Sequence, residues 1–291
     1  MRQRFVLLLS FLPFFSLAQT LSSDEPQKDT VFLKSQKDTV YNFLFVDARW
    51  HSQFAFWGRN YGSELPFIAT NLTYYNHSNF WISAAGFSFF DQDIPFQTGL
   101  SLGYSKALSE KSDWHISYSQ FFIPNSSVPT SARTIGYAQT MFGLDWTILY
   151  STIQIHSLLN KNSDIFFTSH HSRYFQFNRP LWKKVKVSFE PKASFTFGTN
   201  HFDYADGIVI APGGGGSIPA QSDSTNNSGD GIKILNWDFL FPLKFEVGRF
   251  TIDTSWKYSV PLNTSESDPS KALHQFIVAL NFFIPFQRVK G

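Results

Sequence analysis

The sequence predicts an all-β fold: a transmembrane, antiparallel, up-and-down β-barrel of about twelve strands. Three observations lead to this prediction. Apolar and polar residues alternate along many segments of about ten residues, as they do in barrel strands. Aromatic residues make up 18% of the 291 residues and include 34 Phe, whereas charged residues make up only 16%. After the N-terminal leader, no segment is apolar over the roughly 20 residues that a membrane-spanning helix needs.

The segment from Lys184 to Gly198 shows the alternation most clearly. Successive side chains of a β-strand point to opposite faces, so this segment has one apolar and one polar face. The apolar face carries Val185, Val187, Phe189, Pro191, Ala193, Phe195 and Phe197. The polar face carries Lys184, Lys186, Ser188, Glu190, Lys192, Ser194 and Thr196. At about 3.3 Å per residue, the segment can cross a bilayer at a tilt. Because Pro191 cannot donate a ladder hydrogen bond, we expect a bulge or broken pairing there.

Similar segments follow one another along the rest of the chain. The predicted strands span residues 46–57, 65–75, 80–90, 96–105, 114–122, 133–142, 146–156, 164–178, 184–198, 232–243, 250–260 and 273–286. Long loops at 124–132, 200–231 and 262–271 contrast with short turns near Asn76 and Gly248. Bacterial barrels have short periplasmic turns and longer outer loops. The long loops are therefore predicted to face the cell exterior, with the N-terminus in the periplasm.

The N-terminus has the features of a cleaved secretory signal peptide. Arg2 and Arg4 precede an apolar run from Phe5 to Leu17, and small residues up to Ala18 fit a cleavage site. The run is too short for the alternative, a retained membrane anchor. We therefore predict a signal peptide at 1–18, a periplasmic N-terminal linker at 19–45 and an outer-membrane barrel at 46–291. The linker repeats QKDTV, which fits either a solvated linker or a pair of short strands or plug.

The two-residue period does not show which face of the wall is outside, because a soluble barrel has the same alternation with its apolar face turned inward. Twelve strands enclose more space than stacked aromatic side chains can fill, so we expect the apolar face to contact lipid. The predicted lumen-lining residues are Asp47, Arg49, His51, Lys184, Lys186, Glu190, Lys192, Asp238, Asp253 and Lys257. The predicted aromatic girdle at the membrane interfaces consists of Trp57, Tyr104, Trp114, Trp237 and Tyr258.

The first half of the chain contains DARWHSQFAFWGRNYG, PFIATNLTYYNHSNFWISAAG and a third hairpin that ends in SYSQFF. Over about Val46 to Phe122, these segments resemble the opening half of the TorF-like porins. The resemblance implies an outer-membrane barrel whose opening strand ends in an aromatic-Arg-Gly element, although the order at 57–59 here is Trp-Gly-Arg. The signal ending in Ala-Gln and the Phe-rich last strand also resemble outer-membrane proteins of the Bacteroidota.

A barrel of this kind is expected in the outer membrane of a Gram-negative bacterium. Its expected partners are the lipid of that membrane and, during biogenesis, periplasmic chaperones and the barrel-assembly machinery. The net charge of +2 gives no reason to expect nucleic acid binding. The chain has no cysteine, which excludes a disulfide framework and a thiolate metal site.

The sequence predicts neither an enzyme nor a cofactor or metal site. His77 and Ser78 are adjacent, so a strand would direct them to opposite faces, and they fit a turn better than a catalytic pair. His156, His170 and His171 have no carboxylate nearby at ligand spacing, and we interpret them as wall residues.

Three functions remain open at this point. The first is a porin-like passive channel for small hydrophilic solutes with a mildly cationic lumen. The second is a closed structural or surface-recognition barrel that uses the long loop at 200–231. The third, with the least support in the sequence, is an enzyme that modifies outer-membrane lipid.

Overall fold

The computed structural model describes residues 40–60, 64–91, 94–122, 134–159, 164–177, 185–199, 208–211, 216–219, 231–264 and 268–289. The strands in these ranges are β1 (Val40–His51), β2 (Phe67–Tyr75), β3 (Phe80–Phe89), β4 (Gln97–Ala107), β5 (Ser112–Phe122), β6 (Thr134–Asp145), β7 (Tyr150–Leu159), β8 (Asp164–Ser172), β9 (Phe175–Gln176), β10 (Lys186–Phe189), β11 (Lys192–Gly198), β12 (Ile208–Ala211), β13 (Gly216–Pro219), β14 (Lys233–Val247), β15 (Phe250–Pro261) and β16 (Leu273–Val289). Over the same ranges, we find no helix that is long and apolar enough to cross a membrane.

The main sheet is antiparallel and closes on itself. β1 pairs with β2 on one side and with β16 on the other, and β14 pairs with β15, β10 and β11. The short β9 continues β8, and β10 leads into β11, so each of these pairs makes one strand of the wall. Counted in this way, the described residues form a closed barrel of twelve wall strands, which confirms the predicted fold class. β12 and β13 form a separate hairpin between β11 and β14.

The connections distinguish the two ends of the barrel. Short turns at 76–79, 108–111, 146–149 and 248–249 lie at the end where β1 begins, which we call the short-turn end. The connections that follow β1, β3, β5, β7, β11 and β15 lie at the opposite end, which we call the long-loop end.

Side-chain exposure shows which face of the wall is outside. In β4, Leu100 and Leu102 are 57% and 62% exposed, whereas Ser101 between them is 7% exposed. Since strand residues alternate between faces, apolar side chains cover the outside of the barrel and polar ones point into it. Other strands repeat the exposed apolar series, with Ile68, Leu72, Ile82, Ile153, Ile155, Phe195, Phe197, Phe239, Phe241, Ile252, Phe276, Val278 and Leu280.

The predicted interruption at Pro191 is confirmed. β10 ends at Phe189 and β11 begins at Lys192, so Glu190 and Pro191 lie outside both strands. The backbone amide of Glu190 donates to the carbonyl of Pro242 on β14 over 3.5 Å. Because Pro191 has no N–H, the pairing is broken locally, but the register with β14 is the same before and after this point, so no bulge is present.

The structure differs from the sequence-based boundaries at both ends of the first strand. β1 already begins at Val40, inside the region predicted as linker, and its first residues pair with the last residues of the longer β16. β1 ends at His51, although the alternation predicted a strand as far as Trp57. The predicted signal peptide, the QKDT part of the linker repeat and the loop at 124–132 lie outside the described residues.

Candidate functional site

The lumen has a polar zone that occupies its middle and its short-turn end. Three ion pairs lie on its wall: Arg49–Asp47 at 3.1 Å, Lys192–Glu190 at 3.6 Å and Lys257–Asp238 at 3.5 Å. Each cation is close to a carboxylate, so the charges on this part of the wall compensate one another.

Mainly uncharged polar side chains cover the wall around β2–β8, where the buried carboxylate of Asp113 accepts a hydrogen bond from the hydroxyl of Tyr150 over 2.9 Å. They hydrogen-bond across neighbouring strands, as in the pairs Thr73–Ser83 at 3.1 Å, Ser101–Ser119 at 2.8 Å, Gln139–Gln154 at 3.4 Å and Thr168–Thr196 at 3.3 Å. The outer face of the wall is apolar, so the inward-facing hydroxyl and amide groups need hydrogen-bond partners. Cross-strand hydrogen bonds of this kind provide those partners. The polar zone therefore has a part with ion pairs and a part that is mainly uncharged.

The long-loop end of the lumen contains a buried apolar cluster. Its wall members are inward-facing residues near the ends of β2, β3 and β5–β8, together with one residue of β14, whereas Gln97, Ser259 and Gln275 are buried polar residues on the rest of this end. The cluster consists of Phe54, Phe56, Phe67, Phe87, Phe89, Phe121, Ile135, Tyr137, Leu158, Phe166 and Leu235. Its packing resembles the core of a soluble protein more than the lining of a water-filled channel.

The centre of this cluster comes from the connection between β1 and β2. Residues Ser52–Asn60, which we call the plug segment, turn inward after β1 ends. Phe56 and Arg59 exchange backbone hydrogen bonds of 2.8 and 2.9 Å, and the two residues between them have positive φ, 46° at Trp57 and 76° at Gly58. This is the geometry of a two-residue hairpin turn. Glycine suits it, but a bulky residue such as Trp57 rarely adopts positive φ.

The plug segment reaches across the lumen. Phe54 packs on Phe89 of β3 with ring centroids 6.3 Å apart, and Phe56 packs on Phe166 of β8 with centroids 6.0 Å apart. β3 and β8 are five strands apart in a ring of twelve, so they stand on nearly opposite sides of the barrel. At the tip, the α-carbon of Gly58 lies against β14, since an added Cβ would be 2.8 Å from Cβ of Asn236.

A buried ion pair anchors the plug segment to the loop before β16. Nε of Arg59 lies 3.0 Å from Oδ2 of Asp268, with the two side chains 2% and 9% exposed, and Nη2 of Arg59 donates to the Leu262 carbonyl over 3.2 Å. At the start of the segment, Ser52 and Phe276 exchange hydrogen bonds of 2.9 Å. The plug segment is thus held in place by polar contacts at its base and by aromatic packing in the lumen.

The structure brings most of the predicted lumen residues to the inward face. Those found there are Asp47, Arg49, His51, Glu190, Lys192, Asp238, Asp253 and Lys257. His51 lies at the boundary with the apolar cluster, stacked on Phe67 with ring centroids 4.4 Å apart. Lys186 is exposed at the short-turn end, opposite Glu246. Lys184 lies outside the described residues. The role of these side chains in transport stays a prediction.

Four residues of the predicted girdle lie on the outer face, and one does not. Tyr104 and Trp114 lie near the short-turn end, with ring centroids 6.1 Å apart. Trp237 and Tyr258 lie towards the long-loop end, 5.8 Å apart. Trp57 was assigned wrongly: it is at the tip of the plug segment inside the barrel, because the chain leaves the strand after His51.

The apolar cluster was not predicted, although the sequence contains a signal for it. Several strands end at the long-loop end with two large apolar residues in succession, namely Phe89-Phe90, Phe121-Phe122, Leu158-Leu159 and Phe166-Phe167. Because neighbours in a strand point to opposite faces, one residue of each doublet has to point inward. In all four doublets the first residue is buried.

The histidines take structural positions. Nδ1 of His170 lies 2.6 Å from Oγ of Ser194, and Nδ1 of His156 lies 2.5 Å from the hydroxyl of Tyr137. His77 lies in the turn after β2, as predicted, where its amide donates to Oδ1 of Asn42 over 2.8 Å. Among the described residues, no group of three or more His, Cys, Asp or Glu is placed to hold a metal ion.

Comparison with known proteins gives similarities of overall shape. No protein-family model matches the chain, and no curated protein does. The NanC porin covers 82% of this chain and 98% of its own length, with 10% identity and a TM-score of 0.45. The KdgM porin covers 84% and 99%, with 7% identity and a TM-score of 0.45. An outer membrane channel from Pseudomonas putida F1 covers 90% and 99%, with 7% identity and a TM-score of 0.45. None of these similarities assigns an activity, and the resemblance to the TorF-like porins stays a prediction.

Proposed function

We propose that this chain is an outer-membrane β-barrel channel for small hydrophilic solutes, and that the plug segment closes it in the conformation described above. The membrane location is supported by the outer surface, where apolar side chains are exposed on strand after strand. A continuous apolar surface of this kind is unfavourable in water and matches the lipid-facing band of membrane barrels. The long-loop end then faces the cell exterior.

The channel proposal is based mainly on the polar lining of the lumen. Hydroxyl, amide and charged side chains face inward through the middle of the barrel, where a closed barrel without transport would gain stability from an apolar filling. A polar lining offers a passing solute replacements for its bonds to water.

The charges on this lining favour solutes without a strong net charge. In the predicted set, the cations found on the inward face are Arg49, Lys192 and Lys257, and the carboxylates are Asp47, Glu190, Asp238 and Asp253. Three positive charges against four negative ones nearly balance among these residues. The mildly cationic lumen stays a prediction, because Lys184 of the same set lies outside the described residues.

The apolar cluster favours a second candidate, a permanently closed barrel with a structural or surface-recognition role. The two candidates differ in what removal of the plug segment should do. If the barrel is a channel, a path lined by the polar zone opens when Gln53–Asn60 is replaced by a Gly-Ser linker. If the barrel is permanently closed, the remaining wall aromatics still fill the long-loop end.

Recordings from a planar bilayer test this difference. We expect wild-type protein to conduct rarely and the linker variant to give stable conductance steps. A variant in which the short-turn loop 109–111 is replaced by a Gly-Ser linker should behave like wild type. Heat-modifiable migration on a gel shows that each variant is folded. Silence of the folded linker variant would contradict the channel and favour the closed barrel.

The expectation that the chain is not an enzyme stays a prediction. Hydrolysis or deacylation of outer-membrane lipid by the purified barrel would contradict it.

A further inference from the structure

Three neutral polar side chains meet at the tip of the plug segment. The rings of Trp57 and His156 have centroids 5.3 Å apart, and the α-carbon of Gly58 lies against Asn236. Nε1 of Trp57, Nε2 of His156 and both amide atoms of Asn236 are buried, and none has a hydrogen-bond partner among the described residues. His156 and Asn236 are themselves almost completely buried.

Buried polar groups without partners are costly, and native proteins keep few of them. Four such atoms lie on three side chains around this one hairpin tip, whereas others, at Thr152, Ser188 and Gln275, occur singly on the wall. The same tip also contains the positive φ of Trp57, a conformation that a bulky residue keeps only where the surroundings enforce it. Strained backbone and unpaired polar groups in the same place are typical of a ligand-binding position.

The hydrogen-bonding groups of these three side chains restrict the chemical class of ligand that they can bind. The indole N–H only donates a hydrogen bond, whereas the Asn236 amide both donates and accepts, so the ligand must carry acceptors and at least one donor. None of the three side chains brings a fixed charge. The aromatic faces of Trp57 and Phe166, with centroids 5.3 Å apart, add apolar surface beside the polar groups. A ring with apolar faces and hydroxyl groups around its edge satisfies all of these conditions.

We propose that the inner side of the plug tip is a binding subsite for a neutral hydroxylated ring, such as one unit of a sugar. Trp57 stacks on the ring, and Asn236 and His156 bond its hydroxyl groups. This inference rests on the proposed channel function and names its solute class: the subsite receives solutes at the inner side of the plug segment, where the apolar cluster meets the polar zone.

Calorimetric titration of the full-length barrel in a sugar-free detergent tests the subsite. The probes are D-glucose and maltose, with gluconate and glucosamine as charged relatives of similar size. We expect saturable binding of the neutral sugars, with gluconate and glucosamine weaker by about tenfold. Trp57→Phe and Asn236→Leu each remove hydrogen-bonding groups at similar volume, and each should weaken binding by about tenfold. Trp81→Phe is the matched control, because that indole bonds Ser105 near the short-turn end.

Two results would overturn the subsite. One is the absence of saturable binding by either sugar to the folded protein. The other is binding that both Trp57→Phe and Asn236→Leu leave unchanged, and either variant alone suffices if the other does not fold. The channel is tested separately by the linker variant. Conduction by that variant with no sugar binding to the full chain would overturn the subsite alone, whereas sugar binding without any conduction would overturn the channel alone.

Discussion

The polar zone and the apolar cluster share the same inward face of the wall but differ in the chemistry of their side chains. On β5, Ser119 and Phe121 both point into the barrel, and they are one pleat apart. Ser119 bonds the hydroxyl of Ser101 on the wall, whereas Phe121 packs in the apolar cluster. The change from one chemistry to the other therefore takes place within a single strand, at the depth where the plug segment enters.

This difference shows that the inward face of a barrel strand is not one environment. Where the lumen is polar, side chains bond their neighbours on the wall and leave the middle to solute and water. Where a chain segment enters the lumen, the wall becomes half of a hydrophobic core, and its residues pack as core residues do. Substitutions at the two depths should therefore have different consequences.

The largest expected effect is the loss of a wall side chain from the cluster. Phe121 is 0% exposed and its neighbour Phe122 is 38% exposed, so the two Phe differ chiefly in direction. Phe121→Ala should lower the free energy of unfolding by about 3–5 kcal/mol, because it leaves a cavity in packed surroundings. Phe122→Ala removes only lipid contact and should cost about 1–2 kcal/mol. Urea unfolding in lipid vesicles measures both, and equal costs would mean that no packed core exists at this end.

A somewhat smaller effect is expected at the anchor of the plug segment. Asp268→Asn removes the carboxylate that faces the buried Arg59 guanidinium, which should destabilise the closed arrangement by about 3 kcal/mol. At about 1.4 kcal/mol per factor of ten, the open fraction in single-channel recordings should rise by about a hundredfold.

The control for this anchor is Lys257→Met in the polar zone. That substitution breaks the pair with Asp238 but leaves the plug segment untouched, so the open fraction should stay as in wild type. A similar rise in both variants would show that the anchor at Arg59 has no special role in closure.

Two glycines with positive φ test the close approach at the plug tip. Gly58→Ala should destabilise the fold by about 1–2 kcal/mol from backbone strain, and further because the new Cβ would meet Asn236 at 2.8 Å. Gly248→Ala, in a turn at the short-turn end, has φ of 62° but no atom within 4 Å of the new Cβ. Its loss of stability should therefore come from backbone strain alone. Thermal unfolding of the two variants separates strain from contact, and equal losses would contradict the tight fit at Asn236.

The smallest effect concerns ion selectivity of the linker variant. Lys192→Glu reverses a charge on the lumen wall, beside Glu190, and should shift the reversal potential in a KCl gradient towards cation preference. Lys186→Glu reverses a charge that is exposed at the short-turn rim and should shift it less, since bulk ions screen it. A larger shift for Lys186→Glu would place the selective region at the rim instead of the middle of the lumen.

The sequence contains enough information for the wall of the barrel but not for what lies inside it. Strand faces follow from a period of two, so the alternation at Leu100–Leu102 and the break at Pro191 were predictable. The plug segment continues the same alternation as far as Trp57, and nothing local marks the end of β1 at His51. Its inward turn depends on distant contacts with Phe89, Phe166 and Asp268, which are visible only after the chain has folded.

Closure of the lumen by the plug segment is most directly tested by cross-linking the plug segment to the barrel wall. The chain has no cysteine, so Phe56→Cys with Phe166→Cys places one pair of thiols across the contact between plug and wall. Dibromobimane becomes fluorescent when it links two nearby thiols. Thr168→Cys with Thr196→Cys, neighbours on the same wall, is the positive control. We predict that both pairs become fluorescent and that bridging of the first pair abolishes channel opening. Fluorescence of the wall pair alone would contradict a plug segment that lies inside the lumen.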